Sequence, residues 1–282
     1  SEFAVHLDQV RDGRAHVDYQ KAERFFERTF LTKNLRDLAS EVVRRLSGEK
    51  TETSAVFNMA TQFGGGKTHA LTLLYHLVSN GPGARTYQGV SRIVEQARVQ
   101  DVPQAAVAVF VGTEFDSIQG RGGNDGTPLR KTPWAEIAFQ LSGEYGFNVV
   151  AEHEKEGVAP AGEVIRKFLP NNRPSIILVD ELLNYISRNR KSGLSAQLYS
   201  FIQNLSEEAR GNDRVVLVAS IPASELEMTA EDQADYSRFK KLLDRLGKAV
   251  IMAAESETSE IIRRRLFERD SRAVSQDGRM LM

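Results

Sequence analysis

The stretch Phe63-Gly64-Gly65-Gly66-Lys67-Thr68-His69 decides how this chain is read. A short apolar run, Ala55-Val56-Phe57-Asn58-Met59-Ala60, precedes it. An apolar-periodic segment carrying Ala70, Leu71, Leu73, Leu74, Leu77 and Val78 follows. Strand, glycine-rich turn, Gly-Lys-Thr, then helix is the order of a phosphate-binding loop. Each residue type has its chemistry. Glycines let the backbone curl until successive N–H groups point at one anion. A helix that begins near Lys67 aims its positive dipole end at the same place. Lys67 then reaches the β- and γ-phosphates of a nucleotide, and the Thr68 hydroxyl completes a Mg²⁺ shell. Gly64, Gly65, Gly66, Lys67, Thr68 and His69 are the candidate cofactor-binding residues. The pattern has one departure: Thr61 stands where the full motif has its first glycine. A plain bend before a helix is the alternative reading.

A second motif favours the phosphate loop. Ser175-Ile176-Ile177-Leu178-Val179-Asp180-Glu181 follows the turn signal Asn171-Asn172-Arg173-Pro174 and reads as a strand buried on both faces. It ends in adjacent carboxylates, which are costly to desolvate without a partner. A metal-bound phosphate is such a partner. Asp180, with Thr68, is then the metal-holding group, and Glu181 polarises the attacking water. A strand end that simply meets solvent is the alternative.

Composition bounds the rest. The chain has 282 residues, 41% hydrophobic and 27% charged, as ordinary globular proteins do. Its formal net charge is −1, so no chain-wide basic field points to nucleic acid. It has no cysteine, which excludes disulfides, thiolate metal sites and a cysteine nucleophile. No apolar run reaches membrane-spanning length, and no signal peptide is visible. A cytoplasmic protein without a membrane partner is the expectation.

In chain order, residues 1–22 read as a polar lead-in of limited structure, with Ser1-Glu2-Phe3 as a cloning remnant. Thr32 caps a helix carrying Leu35, Leu38, Val42, Val43 and Leu46. The segment from Phe30 to Thr32 lies just before the first strand and is a candidate wall for an adenine pocket, core packing being the alternative. Strands are expected at 54–60, 105–111, 175–181, 215–219 and 249–253, separated by helices at 67–79, 91–99, about 132–141, 160–169, 194–211 and 231–246. Residues 112–131 form a long glycine-rich loop, either a surface excursion or a functional one. Ser220, at the tip of the fourth strand, fits a γ-phosphate sensor or a helix cap before Pro222. Arg245, or Arg264 in a last helix at 257–268, is the candidate for stabilising charge on a transferring phosphoryl group; a solvated face is the alternative. The fold class is α/β, a P-loop NTPase sandwich of AAA type with a five-stranded, mainly parallel sheet. The ATPase domain is expected over 23–270, and 271–282 reads as a polar tail at a truncation point.

Several blocks together carry a family resemblance: Phe25-Phe26-Glu27-Arg28-Thr29-Phe30-Leu31-Thr32, Gln62 to His69, Leu74-Tyr75-His76-Leu77, Val111-Gly112-Thr113, Trp134-Ala135-Glu136-Ile137-Ala138, Asp180-Glu181-Leu182 and Arg264-Arg265-Leu266-Phe267-Glu268. The chain resembles the N-terminal ATPase region of large bacterial and archaeal AAA-type proteins of a domain-of-unknown-function family. These are similar to ATPases of phage-exclusion (BREX- and Pgl-like) systems, which accompany DNA methylases and helicases. The resemblance covers most of residues 20–268. It implies ATP and Mg²⁺ as cofactors, homo-oligomers, and DNA and defence-system partners reached through regions outside this chain. It also implies Mg²⁺-dependent ATP hydrolysis coupled to conformational change or assembly. A nucleotide-gated switch with little turnover is the competing reading, and Glu181 argues against it because a pure switch does not need that residue.

Overall fold

Apolar runs without polar alternation become strands covered on both faces. The computed structural model describes residues 5–60, 66–221 and 228–252. Its elements, in chain order, begin with α1 (Leu7–Arg11), α2 (Val17–Gln20), α3 (Ala22–Arg28) and α4 (Lys33–Leu46). Then come β1 (Val56–Ala60), α5 (Lys67–Asn80), a 3₁₀ turn (Gly81–Thr86), α6 (Val90–Ala97) and β2 (Ala106–Val111). The second half holds α7 (Pro133–Glu156), α8 (Gly162–Phe168), β3 (Ser175–Asp180), α9 (Leu182–Arg188), α10 (Leu194–Gly211), β4 (Val215–Ile221), α11 (Ala230–Leu246) and β5 (Lys248–Val250).

The five strands form one sheet in the order β2-β3-β4-β1-β5, and every described pairing is parallel. Strand β4 therefore lies between β1 and β3. Alternate residues feed two cores. Phe57, Met59, Val109, Ile176, Leu178, Val216 and Val218 face a layer drawn from α1 and α3–α6. Val56, Ala108, Phe110, Ile177, Val179, Leu217 and Ala219 face α7–α11. Because all strands run the same way, their carboxyl ends share one edge, where Ala60, Val111, Asp180 and Ile221 end their strands.

One expectation needs correction. Residues 1–22 are not a loose lead-in throughout: Leu7 and Val10 are fully buried, and the Arg11 guanidinium donates to the Val109 carbonyl at 3.1 Å. The polar composition hid this because only one face of a five-residue helix is apolar. Leu182–Arg188, which follows the acid pair directly, is helical. The helix at Thr132-Pro133 starts where expected, with the Thr132 hydroxyl accepting from the Ala135 N–H at 3.3 Å, and its first stretch also stops where expected, before a second helical stretch to Glu156 that no sequence expectation covered. It breaks at Ser142 and Gly143, where Gly143 takes φ 59°. The chain then folds back, so that Glu154 accepts the Thr132 N–H at 3.0 Å. Gly146 has to be glycine at this close approach, since a Cβ there would sit 2.1 Å from the Ala138 carbonyl oxygen.

The long loop at 112–131 is anchored. Arg121 and Arg130 exchange backbone hydrogen bonds at 2.8 Å. Buried Arg130 pairs with Glu136 at 2.7 Å and lies over the Phe139 ring. Edge strand β2 is closed by the Gln140 amide, which accepts the Val109 N–H at 2.7 Å and donates to its carbonyl at 2.9 Å. We expect Gln140→Ala to cost about 1–3 kcal/mol in urea unfolding, because both groups lose that partner. The same variant should self-associate in sedimentation velocity through the reopened edge.

Candidate functional site

Helix α5 opens on Gly66, which holds φ 83° and offers no side-chain cap. Among the described residues nothing lies within 4 Å of where a Cβ would be, and the backbone angle itself is one that favours glycine. The first N–H groups of α5 are thus left to other acceptors.

Beside this turn stands Asp180, the last residue of β3 and almost fully buried. The Thr68 hydroxyl donates to its Oδ2 at 2.7 Å. The Ser220 hydroxyl donates to Oδ1, and the Glu181 N–H reaches the same oxygen at 3.1 Å. Ser220 is a buried strand residue whose hydroxyl serves Asp180, and Pro222, on which its cap reading depends, lies outside the described residues. Lys67 lies half-buried and donates to the Ile221 carbonyl at 3.1 Å. Burial holds the Lys67 ammonium below its ordinary value, while Glu181 and Asp180 push it back up.

Glu181 sits in the left-handed region at φ 54° and ψ 39°, uncommon for a residue with a Cβ. Its carboxylate does not cap α9. It accepts instead from the Asn184 amide at 2.8 Å. Burial raises the Glu181 carboxyl above its ordinary value, Asp180 raises it further, and Lys67 and Asn184 oppose them. Asn184 escaped notice in the sequence, although an amide one turn after an acid pair is a visible signal.

His69 faces elsewhere. Its Nε2 meets the Thr29 hydroxyl at 3.0 Å, and its ring lies 4.6 Å from Phe25. The Thr29 hydroxyl hydrogen goes to the Phe25 carbonyl at 2.6 Å, so His69 is the donor to Thr29. Residues 25–32 are thereby fixed to the first turn of α5. The Thr32 hydroxyl caps α4 at the Leu35 N–H, 3.2 Å away. Arg245 is exposed in the last turn of α11, which leads into β5; Lys248 there pairs with Phe57, early in β1 and away from the carboxyl edge. Gly64, Gly65 and Arg264 lie outside the described residues.

A model of the DUF499 N-terminal domain matches residues 1–257. The chain belongs to this family. No curated protein matches it. Among the described residues of this DUF499 N-terminal domain, no helix is long and apolar enough to cross a membrane. No group of three or more His, Asp or Glu residues gathers as a metal cage among them. Hard oxygen donors do converge: the Thr68 hydroxyl and the Asp180 carboxylate, in contact with each other. That pair suits Mg²⁺, which takes one or two protein ligands and completes its shell with water and phosphate.

The strained balance at Glu181 has a consequence for stability. Its folded carboxyl holds a proton above the ordinary value of 4.5, so the contribution of Glu181 to stability falls as pH rises through the window above 4.5. Glu181→Gln keeps the acceptor for Asn184 and removes the charge. Its Tm should exceed that of wild type at pH 7, with a gain that shrinks as pH falls toward 4.5. Differential scanning calorimetry across that range checks it.

Proposed function

We propose that this chain binds ATP with Mg²⁺ and hydrolyses it at the carboxyl edge of the sheet. The observation that carries the reading is the Thr68–Asp180 hydrogen bond, made across 112 residues of sequence and beside Lys67. A Gly-Lys-Thr turn opening a helix and a buried strand ending in Asp-Glu are what a P-loop nucleotide site needs, and here they meet. The position of β4 between the two motif strands supports an AAA-type arrangement of that fold.

Thr68 and Asp180 would hold the metal, which when bound neutralises charge on the phosphates. Lys67 brings a positive charge to the phosphates, and its partly desolvated ammonium gains more from that pairing than an exposed one does. Glu181 accepts a proton from the attacking water, and its raised carboxyl is a stronger base than a solvated glutamate. Ser220 keeps Asp180 aimed at Thr68. On the family resemblance, turnover drives conformational change or assembly in a DNA-linked phage-defence setting.

A second reading, a nucleotide-gated switch with little turnover, draws on the placement of Arg245. Among the described residues, the charges that shift Lys67 and Glu181 are each other and Asp180. Charge stabilisation by an arginine would then come from Arg264 or from another copy of the chain. Steady-state hydrolysis and equilibrium binding separate the readings. The enzyme reading expects Mg²⁺-dependent turnover in wild type, lost nucleotide binding in Lys67→Ala, and in Glu181→Gln retained binding with turnover down by about 10²–10⁴-fold. Wild type that binds ATP and never hydrolyses it, even when concentrated, supports the switch.

A further inference from the structure

Glu181 needs something to hold its backbone at φ 54°, because a residue with a Cβ keeps that conformation only when its surroundings fix it. One surrounding constraint is Gly112, one residue past β2. Its N–H donates to the Asp180 carbonyl at 2.8 Å. Its Cα lies so close to Glu181 that an added Cβ would stand 2.1 Å from the Glu181 carbonyl oxygen and 3.2 Å from the Tyr185 nitrogen. Gly112 is therefore a backbone stop pressed against the acid-bearing turn.

The stop is itself gripped from behind. Arg188, in the last turn of α9, sends Nη2 to the Gly112 carbonyl and to the Phe115 carbonyl at 3.2 Å. Tyr185, one turn earlier, bonds Ser117 at 2.8 Å between their hydroxyls. Helix α9 starts at the turn it helps to fix, so the chain closes a ring: Glu181, α9, Arg188, Gly112, and back to Asp180 and Glu181. Arg188 is otherwise exposed, and besides the Asn184 carbonyl of its own helix its guanidinium reaches two backbone carbonyls of a neighbouring loop.

We propose that Arg188 is a positioning residue for Glu181, acting through the Gly112 backbone. This rests on the hydrolytic reading above, in which Glu181 works on the attacking water. Arg188 does not touch the Lys67–Thr68–Asp180 group, so its loss disturbs the chemical step and spares nucleotide affinity. The exposed position also lets substitutions fold.

Two readouts on the same proteins test it. Hydrogen exchange of the nucleotide-free chain reports the stop directly: Arg188→Ala should speed exchange of the Gly112 amide by about tenfold or more, with Arg188→Lys between that and wild type. Steady-state kinetics with Mg²⁺ and ATP should show kcat down by about 10–100-fold in Arg188→Ala, KM within about twofold, and partial rescue in Arg188→Lys. Unchanged Gly112 exchange overturns the proposal, as does unchanged kcat beside faster exchange, or a rise in KM alone. If wild type hydrolyses no ATP, the hydrolytic reading fails and the role in catalysis with it, while the exchange result still decides whether Arg188 holds the stop.

Discussion

The carboxylate of Asp180 is the joint on which the site depends. One oxygen takes the Thr68 hydroxyl from α5, and the other takes the Ser220 hydroxyl from β4 and the Glu181 N–H. A buried carboxylate is tolerated only when it is this well supplied with donors. Sheet register makes the supply possible. Val179 pairs with Ala219, which sets Asp180 level with Ser220, and Ser220 pairs with Met59 at the end of the strand leading to α5. Parallel strands and the order β3-β4-β1 thus bring three distant pieces of chain to one edge.

The groups around that joint are less comfortable. Lys67 and Glu181 are both half-buried, and burial shifts each toward its neutral form while each supports the charge of the other. Glu181 adds an uncommon backbone conformation. Local rules broken at one small place, in a fold that keeps them elsewhere, are what a working site looks like. The cores on both faces of the sheet supply the rigidity that holds those broken rules in place.

Much of this was legible in the residues. Strands β1–β4 stand within about two residues of their apolar runs, the usual error of boundary reading. The caps at Thr32 and Thr132 name their helices because a hydroxyl before an apolar periodic segment has few other uses. The structure brings the Thr68 and Ser220 hydroxyls to the Asp180 carboxylate and Lys67 to the Ile221 carbonyl beside Ser220. What escaped was tertiary. The His69 ring turns to Thr29 and Phe25, which no local pattern announces. The helical stretch beyond the Ser142-Gly143 reversal went unassigned, and its return to place Glu154 on Thr132 is set by packing. Arg188 looks like part of a basic surface turn, and only the fold shows that it grips Gly112 and Phe115. Five-residue α1 is too short for periodicity to speak, and its burial comes from packing on β2 and α5 among other neighbours.

The most direct measurement is calorimetric titration of wild-type protein with ATP, with Mg²⁺ present and with Mg²⁺ chelated. If Thr68 and Asp180 form the metal arm of a phosphate site, saturable binding appears with Mg²⁺ and weakens at least about tenfold, some 1.4 kcal/mol, without it. Absence of saturable binding with Mg²⁺ up to about 1 mM ATP would contradict the account.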